Sequence, residues 1–400
     1  MKKLLFVTPE LPYPPDNGGK VATWMLLKHL STRYNLNICL FIKSNAQKTA
    51  VKEFADKLGI SINQIYFEEL NLKRNVGNLI LSYKNNIPLT VYRHFSKNFK
   101  NHIEKIIDDF DIAFIDYYSM AQYITDHFKG KKIIHTHNAE YIMWQRKVSI
   151  ESNPIVKFLI YTESKRVKNF EKLEYKKFDK VLCVSSNDVE NIKKIGVDEN
   201  KIELISATGN RKLLSFPDIQ FDSTEKSLIY IGTLSWEANI DGLIWFIKNC
   251  WTVLYRQNPD IRLNIIGASP GYKIKKLIKN LSNVYLTGYL SEEDIEGYYS
   301  KSRVFIAPLR FGSGIKVKIL NAMNRGIPTV TTSIGAEGIG AVDMKHLCIS
   351  DTADDFSRKV NALLNQKQLW EQLSRYSRTL MKEKYDWDKI CKNINKVIDY

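Results

Sequence analysis

The residues best suited to hold an anion lie in a glycine-rich turn in the second half of the chain. An apolar run over 304–308 predicts a strand, Gly312-Ser313-Gly314 predicts a turn, and Ile315 opens a predicted helix over 315–323. Free backbone N–H groups at such a helix start point toward phosphate oxygens. Lys316 or Arg310 could add positive charge, and a bound anion would relieve the conflict between a lysine and the positive end of the helix dipole. The segment therefore predicts a diphosphate-binding loop.

A second candidate segment follows the first predicted strand, over 3–7. A proline-rich loop leads to Gly18 and Gly19, and a helix is predicted over 21–30. Paired glycines let the backbone approach a ligand closely, and the helix start attracts negative charge. The pattern is not the G-x-G-x-x-G fingerprint, so it gives little support to a dinucleotide site. An ordinary tight turn fits the two glycines equally well.

Two histidines lie near the end of a strand predicted over 132–137. Strand alternation puts His135 and His137 on one face, with His137 at the end where a ligand would bind. A histidine there could orient a ligand hydroxyl or neutralise developing charge. A hydrogen bond to neighbouring backbone is the simpler interpretation for either histidine alone. We expect Glu140 to cap the helix that follows.

Short apolar runs alternate with helix-period stretches along the whole chain, which is typical of α/β proteins with parallel sheets. Predicted strands lie at 3–7, 36–41, 112–115, 132–137 and 180–185, and then at 227–231, 262–266, 284–287, 304–308 and 329–332. The pattern restarts after a polar stretch, which indicates two domains.

We therefore predict a first Rossmann-like domain over 1–211, a linker over 212–226 and a second Rossmann-like domain over 227–384. A last helix within 385–400 is expected to pack back on the first domain. Two parallel-sheet domains facing a central cleft would place the ligand at the carboxyl ends of their strands.

Composition limits the remaining possibilities. The chain has 400 residues and a formal net charge of +16, and the excess of lysine and arginine is spread over both halves. Such a surface attracts anions in general, but no nucleic-acid recognition motif is present, so we expect no nucleic-acid partner. The five cysteines lack metal-ligand spacing, which favours a reducing cytoplasm and predicts no metal site. No apolar run is long enough to span a bilayer.

Taken together, these segments resemble the retaining glycosyltransferases of the GT-B fold known as group 1 or family 4. The resemblance is strongest over 227–340. There, 231–242 is similar to the opening of the family's second domain, 308–328 to its nucleotide-binding loop and helix, and 333–339 to the loop that follows. In the first domain, 135–140 and 180–188 are similar to the family's His-Asn-x-Glu and Val-Ser segments.

The resemblance implies transfer of a hexose from a nucleotide-diphosphate sugar, without metal or cofactor and with retained anomeric configuration. His137 would contact the donor sugar, Lys316 would stabilise the leaving diphosphate, and Gly18 and Gly19 would lie near the diphosphate and the acceptor. The donor site would comprise Gly232, Thr233, Arg310, Gly312, Ser313, Gly314, Ile315, Lys316 and Asn321.

The chain departs from the family pattern at four positions. Ser313 and Asn321 stand where the family usually has two glutamates, the second of which binds ribose hydroxyls. As a neutral amide, Asn321 should bind ribose more weakly than a carboxylate does. Thr233 and Ala238 stand where the family usually has an arginine and a lysine. Lys316, Arg310 and helix N–H groups must then hold the diphosphate.

Three functions follow, in decreasing order of support. The first is an active transferase of surface-polysaccharide synthesis, acting in the cytoplasm on a glycan or a lipid-linked acceptor, with peripheral attraction to anionic lipid. The lysine- and aromatic-rich segment 157–180 could lie on such a membrane, although a solvated helix face is the simpler interpretation. For Lys318 a solvated surface position is a fair alternative to a role in binding the diphosphate. The second is a weak or inactive relative that binds nucleotide or a partner. The third is a nucleic-acid binder.

Overall fold

The computed structural model describes residues 1–70, 76–268 and 270–399, so 71–75, 269 and 400, which fall within the predicted domains, lie outside the described residues. The chain forms two compact units. The first comprises Met1–Ser206 together with the chain from Lys389 onward, and the second comprises Ala207–Asp388. In the described part of the chain, no helix combines the length and apolarity needed to cross a membrane.

The first unit is built on a seven-stranded sheet. Its strands are β1 Lys3–Thr8, β2 Asn35–Ile42, β3 Ile65–Glu69, β4 Ile112–Asp116, β5 Lys131–Thr136, β6 Lys180–Cys183 and β7 Ile202–Leu204. They run parallel in the order β3-β2-β1-β4-β5-β6-β7. The strand order reverses between β1 and β4, and ligands of doubly wound sheets bind beside such a switch point.

Helices cover this sheet and bury its central strands, which explains why these strands are apolar throughout. Those of the first unit are α1 Gly18–Ser31, α2 Lys48–Leu58, α3 Val76–Lys84, α4 Leu89–Arg93, α5 Lys97–Ile106, α6 Glu140–Ile150, α7 Pro154–Glu174 and α8 Ser186–Lys194. Every residue of β4 is buried. The side chain at its carboxyl end is therefore fixed by its surroundings.

The second unit repeats the plan with six parallel strands. They are β8 Glu225–Ile231, β9 Arg262–Ile266, β10 Val284–Gly288, β11 Ser302–Ala307, β12 Thr329–Thr331 and β13 Cys348–Ile349, in the order β10-β9-β8-β11-β12-β13. The switch point lies between β8 and β11, so the loops after these two strands are the expected binding loops.

The helices of the second unit are α9 Lys212–Ser215, α10 Glu237–Phe246, α11 Thr252–Gln257, α12 Tyr272–Ile278, α13 Glu292–Lys301, α14 Val317–Arg325, α15 Ser333–Ala336, α16 Ala353–Asn365 and α17 Lys367–Lys384. A π-helical stretch over Ile247–Trp251 joins α10 to α11.

The last helix, α18 (Trp387–Asp399), packs on the first unit. The carboxylate of Asp399 accepts hydrogen bonds from Tyr34 at 2.8 Å and from Arg33 at 3.2 Å. Lys131 donates to the backbone oxygen of Val397 at 2.7 Å. The helix therefore returns to the first domain, as the sequence predicts.

The fold class is the predicted one, but three boundaries differ. The two units divide after Ser206, not at a linker over 212–226. Leu213 and Ile219 are buried in the core of the second unit, so the polar stretch between them and β8 is part of that unit. The helix predicted over 315–323 begins two residues later, at Val317.

Candidate active site

The centre of the first unit's site is a buried carboxylate that the sequence did not reveal. Asp116 ends β4, beside the carboxyl ends of β1 and β5. Its Oδ2 accepts hydrogen bonds from Thr23 at 2.7 Å and Thr8 at 3.1 Å. Its Oδ1 lies 2.7 Å from His135 Nδ1 and 2.8 Å from His137 Nε2. Asp116, His135 and His137 form what we call the histidine cluster, and the two histidines share one face, as strand alternation predicts.

The three groups of the histidine cluster have shifted pKa values. Burial alone would raise the pKa of Asp116, but the two imidazoles beside it lower that pKa well below its usual range. Burial lowers the pKa of His135 despite its contact with Asp116. Burial also disfavours the charged form of His137, yet the carboxylate of Asp116 raises its pKa overall. Within the cluster, His137 is thus the imidazole that holds a proton more readily.

These side chains are also the one described group that offers three metal-binding atoms close together, all within 4.8 Å of one another. Sequence spacing did not predict it, because Asp116 is far from the histidines along the chain. Both imidazole nitrogens lie at hydrogen-bond distance from the same carboxylate oxygen. This arrangement is typical of a carboxylate that orients two imidazoles.

The glycine pair of the first loop lies beside His137. Helix α1 begins at Gly18, and Asn17 caps it by accepting the N–H of Lys20 at 3.1 Å. A Cβ atom at Gly19 would lie 3.3 Å from Nδ1 of His137, which is closer than most side-chain contacts. The structure therefore brings together two segments that the sequence could only predict separately.

Glu140 does not cap α6, contrary to expectation. Glu171 does so instead, because its carboxylate accepts the backbone N–H groups of Glu140 at 2.9 Å and Tyr141 at 3.0 Å. The side chain of Glu140 is buried and accepts a hydrogen bond from Asn138. Burial raises the pKa of Glu140 to about 7. Glu140 is thus an additional titratable group, close enough to His137 for the two charges to interact.

In the second unit, residues 309–316 form the glycine turn after β11. Gly312 and Gly314 adopt φ values of 138° and 70°, which favour glycine. The buried side chain of Lys316 donates to the backbone oxygens of Ser313, at 3.0 Å, and of Gly314. Because α14 starts at Val317, the N–H groups of its first turn belong to Val317 and its successors, not to Gly314 and Ile315 as predicted.

The predicted diphosphate ligand Arg310 already has an anionic partner. Its guanidinium contacts the carboxylate of Asp241 through two hydrogen bonds, of 2.8 Å and 2.5 Å. This bidentate geometry is the strongest pairing that arginine makes with a carboxylate. A diphosphate would have to compete with Asp241 for Arg310.

Lys318, for which a solvated surface position was an open alternative, lies beside the loop after β8. Its Nζ donates to Oδ1 of Asn239 at 2.6 Å and lies 3.4 Å from the hydroxyl of Tyr230. A Cβ atom at Gly232 would lie 3.0 Å from this Nζ. Burial, with the charge of Lys316, lowers the pKa of Lys318 to about 7. Lys318 lies three residues, about one helical turn, before Asn321, a spacing that could have indicated a shared face.

The remaining predicted donor residues lie on the same two loops. Thr233 accepts a hydrogen bond from the amide of Asn239 at 2.9 Å through its backbone oxygen. Oδ1 of Asn321 accepts the backbone N–H of Asn210 at 2.7 Å, which fixes the segment beside Gly209. The structure thus places Gly232, Thr233 and Lys318 together, with Asn321 one helical turn further on.

One protein family and one full-length relative are similar to the chain in sequence. Residues 225–366 match the family described as "Glycosyl transferases group 1". An uncharacterized 44.6 kDa protein in the cps region of Klebsiella pneumoniae is 25% identical over 408 residues, which cover 99% of this chain and 100% of that protein.

Two solved structures share the fold. A sucrose-phosphate synthase from Thermosynechococcus elongatus is 15% identical, with a TM-score of 0.71 and coverage of 100% of this chain and 98% of that one. HepE from Anabaena, solved with UDP and glucose, is 12% identical, with a TM-score of 0.71 and full coverage of both chains. The match over 225–366 confirms the resemblance to group 1 glycosyltransferases drawn from the motifs, and the two solved structures show that the chain has the GT-B fold.

Proposed function

We propose that the protein transfers a hexose from a nucleotide-diphosphate sugar to an acceptor hydroxyl with retention of configuration, in the synthesis of a surface polysaccharide. The observation that carries the proposal is the pair of lysines at the start of α14, inside the segment that matches the family. Lys316 and Lys318 lie there beside the glycine turn and the loop after β8.

The second unit would hold the donor diphosphate. N–H groups in the first turn of α14 and the cation of Lys318 would bind its oxygens, and Lys316 would stabilise the charge that develops as the sugar leaves. The hydrogen bonds of Lys318 Nζ go to the neutral groups of Asn239 and Tyr230. A bound diphosphate would therefore place a negative charge beside the ammonium group of Lys318, which these neutral groups do not supply.

Asn321 would bind the ribose of the donor. Its Oδ1 accepts the N–H of Asn210, so its amide N–H₂ would donate to a ribose hydroxyl. A carboxylate at this position would accept from a hydroxyl instead. We therefore propose weaker ribose binding than in relatives with glutamate.

The first unit would supply His137 to the donor sugar and groups for the acceptor. The bond between the anomeric carbon and the diphosphate oxygen breaks, a new bond forms to the acceptor oxygen on the same face, and the acceptor proton passes to the leaving phosphate. Asp116 fixes the ring of His137 and raises its pKa, so the imidazole can donate a hydrogen bond where negative charge develops. No step in this scheme requires a metal ion or a cofactor.

The acceptor would be a glycan or a lipid-linked sugar. The relative from Klebsiella pneumoniae, which is similar over nearly the whole chain, is described as a protein of a cps region. This description supports a role in polysaccharide synthesis. The net charge of +16 would favour peripheral association with the inner face of a membrane that carries anionic lipid.

The test is a transfer assay with UDP-, GDP- and dTDP-hexoses and a membrane-extracted acceptor, with and without EDTA. We expect one donor to be consumed equally in both conditions, and the NMR coupling of the product's anomeric proton to match that of the donor. An inverted product would overturn retention, and a loss of activity with EDTA would overturn the metal-independent scheme.

A second candidate is a weak or inactive relative that binds nucleotide without transfer. The pairing of Arg310 with Asp241 favours it, because it removes one of the expected diphosphate ligands. Nucleotide binding with no turnover of any donor, in the presence of extracted acceptor, would support this alternative.

A further inference from the structure

Helices α6 and α7 form a hairpin that extends beyond the carboxyl edge of the first unit's sheet. Helix α6 starts at this edge, where the carboxylate of Glu171 in α7 holds the N–H of Glu140. From Glu171, α7 continues toward the start of β6, at the opposite edge. The 17 residues of α7 before Glu171 must then extend away from the sheet, by about 25 Å at 1.5 Å per residue.

The free end of this hairpin is apolar and exposed. Ile155 and Phe158 have exposed fractions of 73% and 64%, and Val156, Leu159 and Tyr161 are also exposed. These five residues, which we call the hairpin tip, occupy two consecutive turns of α7. Soluble proteins rarely leave so many large apolar side chains together in water unless they bind another surface.

Helix α3 adds to the same surface. The hydroxyl of Tyr83 lies 2.6 Å from that of Thr162, the residue that directly follows the hairpin tip. Val76 and Ile80, which share a helix face with Tyr83, have exposed fractions of 71% and 61%. Arg166 of α7 donates to the backbone oxygen of Ser82 at 2.6 Å, so the two helices are braced against each other.

The fully exposed charges of α7 have one sign. Four lysines of α7 are exposed, namely Lys157, Lys165, Lys168 and Lys172. Of the three acidic residues of α7, Glu163 and Glu171 are buried and Glu174 is partly buried. An apolar face with exposed lysines and no fully exposed acid on the same helix is complementary to anionic lipid headgroups over an acyl layer.

We propose that the hairpin tip and the exposed face of α3 insert into the headgroup region of a membrane containing anionic phospholipid. The tip lies beyond the sheet edge that carries His137, so the docked first unit would present this edge to the bilayer. The inference rests on the proposed function in that a lipid-linked acceptor would then reach the first unit from the membrane.

Vesicle flotation without any substrate tests docking by itself. The full chain is mixed with vesicles of phosphatidylcholine alone or of phosphatidylcholine with phosphatidylglycerol. The variant is Ile155→Ser with Phe158→Ser, and the matched control is Tyr272→Ser with Val342→Ser, which removes two exposed apolar side chains from the second unit. A charge variant, Lys165→Glu with Lys168→Glu, tests the electrostatic part.

We expect the wild type and the control to float with the anionic vesicles, and high salt to weaken binding. The Ile155/Phe158 variant should bind at least about tenfold more weakly, because it loses the two most exposed apolar side chains of the hairpin tip. Equal flotation of this variant and the wild type would overturn the proposal. So would a wild-type dimer that this variant converts to a monomer, since the face would then bind a second copy.

The flotation experiment tests the docking surface and the transfer assay tests the proposed function, so a failure of one can be distinguished from a failure of the other. If the variant loses flotation but hydrolyses the donor at the wild-type rate, docking holds and the catalytic site is independent of it. If the wild type floats but consumes no donor, the proposed function fails while the docking surface stands.

Discussion

The two units differ in how the charged side chains of their candidate sites are partnered. In the first unit, the histidine cluster neutralises itself, because one buried carboxylate contacts two imidazoles and two threonine hydroxyls. In the second unit, Lys318 is bonded to neutral groups and the side chain of Lys316 donates to backbone oxygens. The carboxylate of the first site already has its hydrogen-bond partners, whereas the hydrogen bonds of Lys318 in the second site go to neutral groups.

This difference indicates a division of roles. A self-neutralised cluster can orient a hydrogen-bond donor accurately but gains little by binding an ion. A site with a cation whose pKa is lowered to about 7 gains a proton, and with it stability, when an anion arrives. We therefore expect substitutions in the first unit to act on catalysis and those in the second unit to act on donor affinity.

The largest expected effect is that of Asp116→Asn. The change removes the charge that raises the pKa of His137 and disturbs four hydrogen bonds. We expect kcat/KM to fall about 100-fold or more, which corresponds to about 3 kcal/mol, with little change in nucleotide affinity. Because the pKa of His137 falls, the alkaline limb of the pH profile should move to lower pH.

Thr8→Val is the control for Asp116→Asn, since it removes one hydrogen bond to Oδ2 and leaves the contact with His137. It should lower kcat/KM less than Asp116→Asn does, because it removes one hydrogen bond to the carboxylate, worth about 1.5 kcal/mol or more, but keeps the charge that raises the pKa of His137. If Asp116→Asn instead weakened nucleotide binding and left the rate unchanged, the division of roles would be wrong.

The next effect is that of Lys318→Met on donor affinity. Loss of one partly buried cation should raise the Kd of the nucleoside diphosphate about 10- to 100-fold in a calorimetric titration. The paired replacement Arg310→Met with Asp241→Asn should change the Kd less than about threefold, because these two groups already neutralise each other. A larger effect of the pair than of Lys318→Met would restore Arg310 as the main diphosphate ligand.

A smaller effect is the pH dependence of donor binding. Because the pKa of Lys318 is lowered to about 7, its cation is present below this pH and is lost as the pH rises through it. The Kd of the nucleoside diphosphate should therefore rise above pH 7, by at most about tenfold per pH unit. Lys318→Arg should flatten this dependence, since arginine remains charged. A flat profile for the wild type would contradict the charge state inferred here.

The smallest expected effect is that of Asn321→Ala. It removes the acceptor for the N–H of Asn210 and the amide that would bind ribose, so donor affinity should fall about fivefold, or about 1 kcal/mol. Asn321→Asp keeps the acceptor and adds a carboxylate, and we expect it to bind the donor at least as well as the wild type. Weaker binding by Asn321→Asp than by Asn321→Ala would argue against a ribose at this position.

The sequence predicted the parallel α/β architecture because central strands and amphipathic helices leave strong periodic patterns. It also predicted the shared face of His135 and His137, because alternation along a strand is strictly geometric. It did not predict β3, β7 and β13. Strands β7 and β13 have only three and two residues, and β3 ends in two glutamates, so none of them contains a long apolar run.

The missed site residues share a physical reason. Asp116 ends a strand that is otherwise apolar, and only the register of β4 and β5 shows that it meets His135. A solvated surface stayed open as an alternative for Lys318 because its contacts with Asn239 and Tyr230 are 79 and 88 residues away along the chain. Glu171 caps α6 across 31 residues, a contact that local capping patterns cannot predict.

The central claim is that the second unit binds a nucleoside diphosphate through Lys318 and the start of α14. A thermal-shift screen of the wild type and Lys318→Met against UDP-, GDP-, dTDP- and CMP-sugars, without added metal, tests it most directly. At 100 times the Kd, a ligand of the folded state adds about 2.7 kcal/mol of stability. We predict stabilisation of the wild type by one diphosphate sugar, little effect of the CMP-sugar, and a reduced shift in Lys318→Met. Equal shifts in both proteins, or none with any diphosphate sugar, would contradict the account.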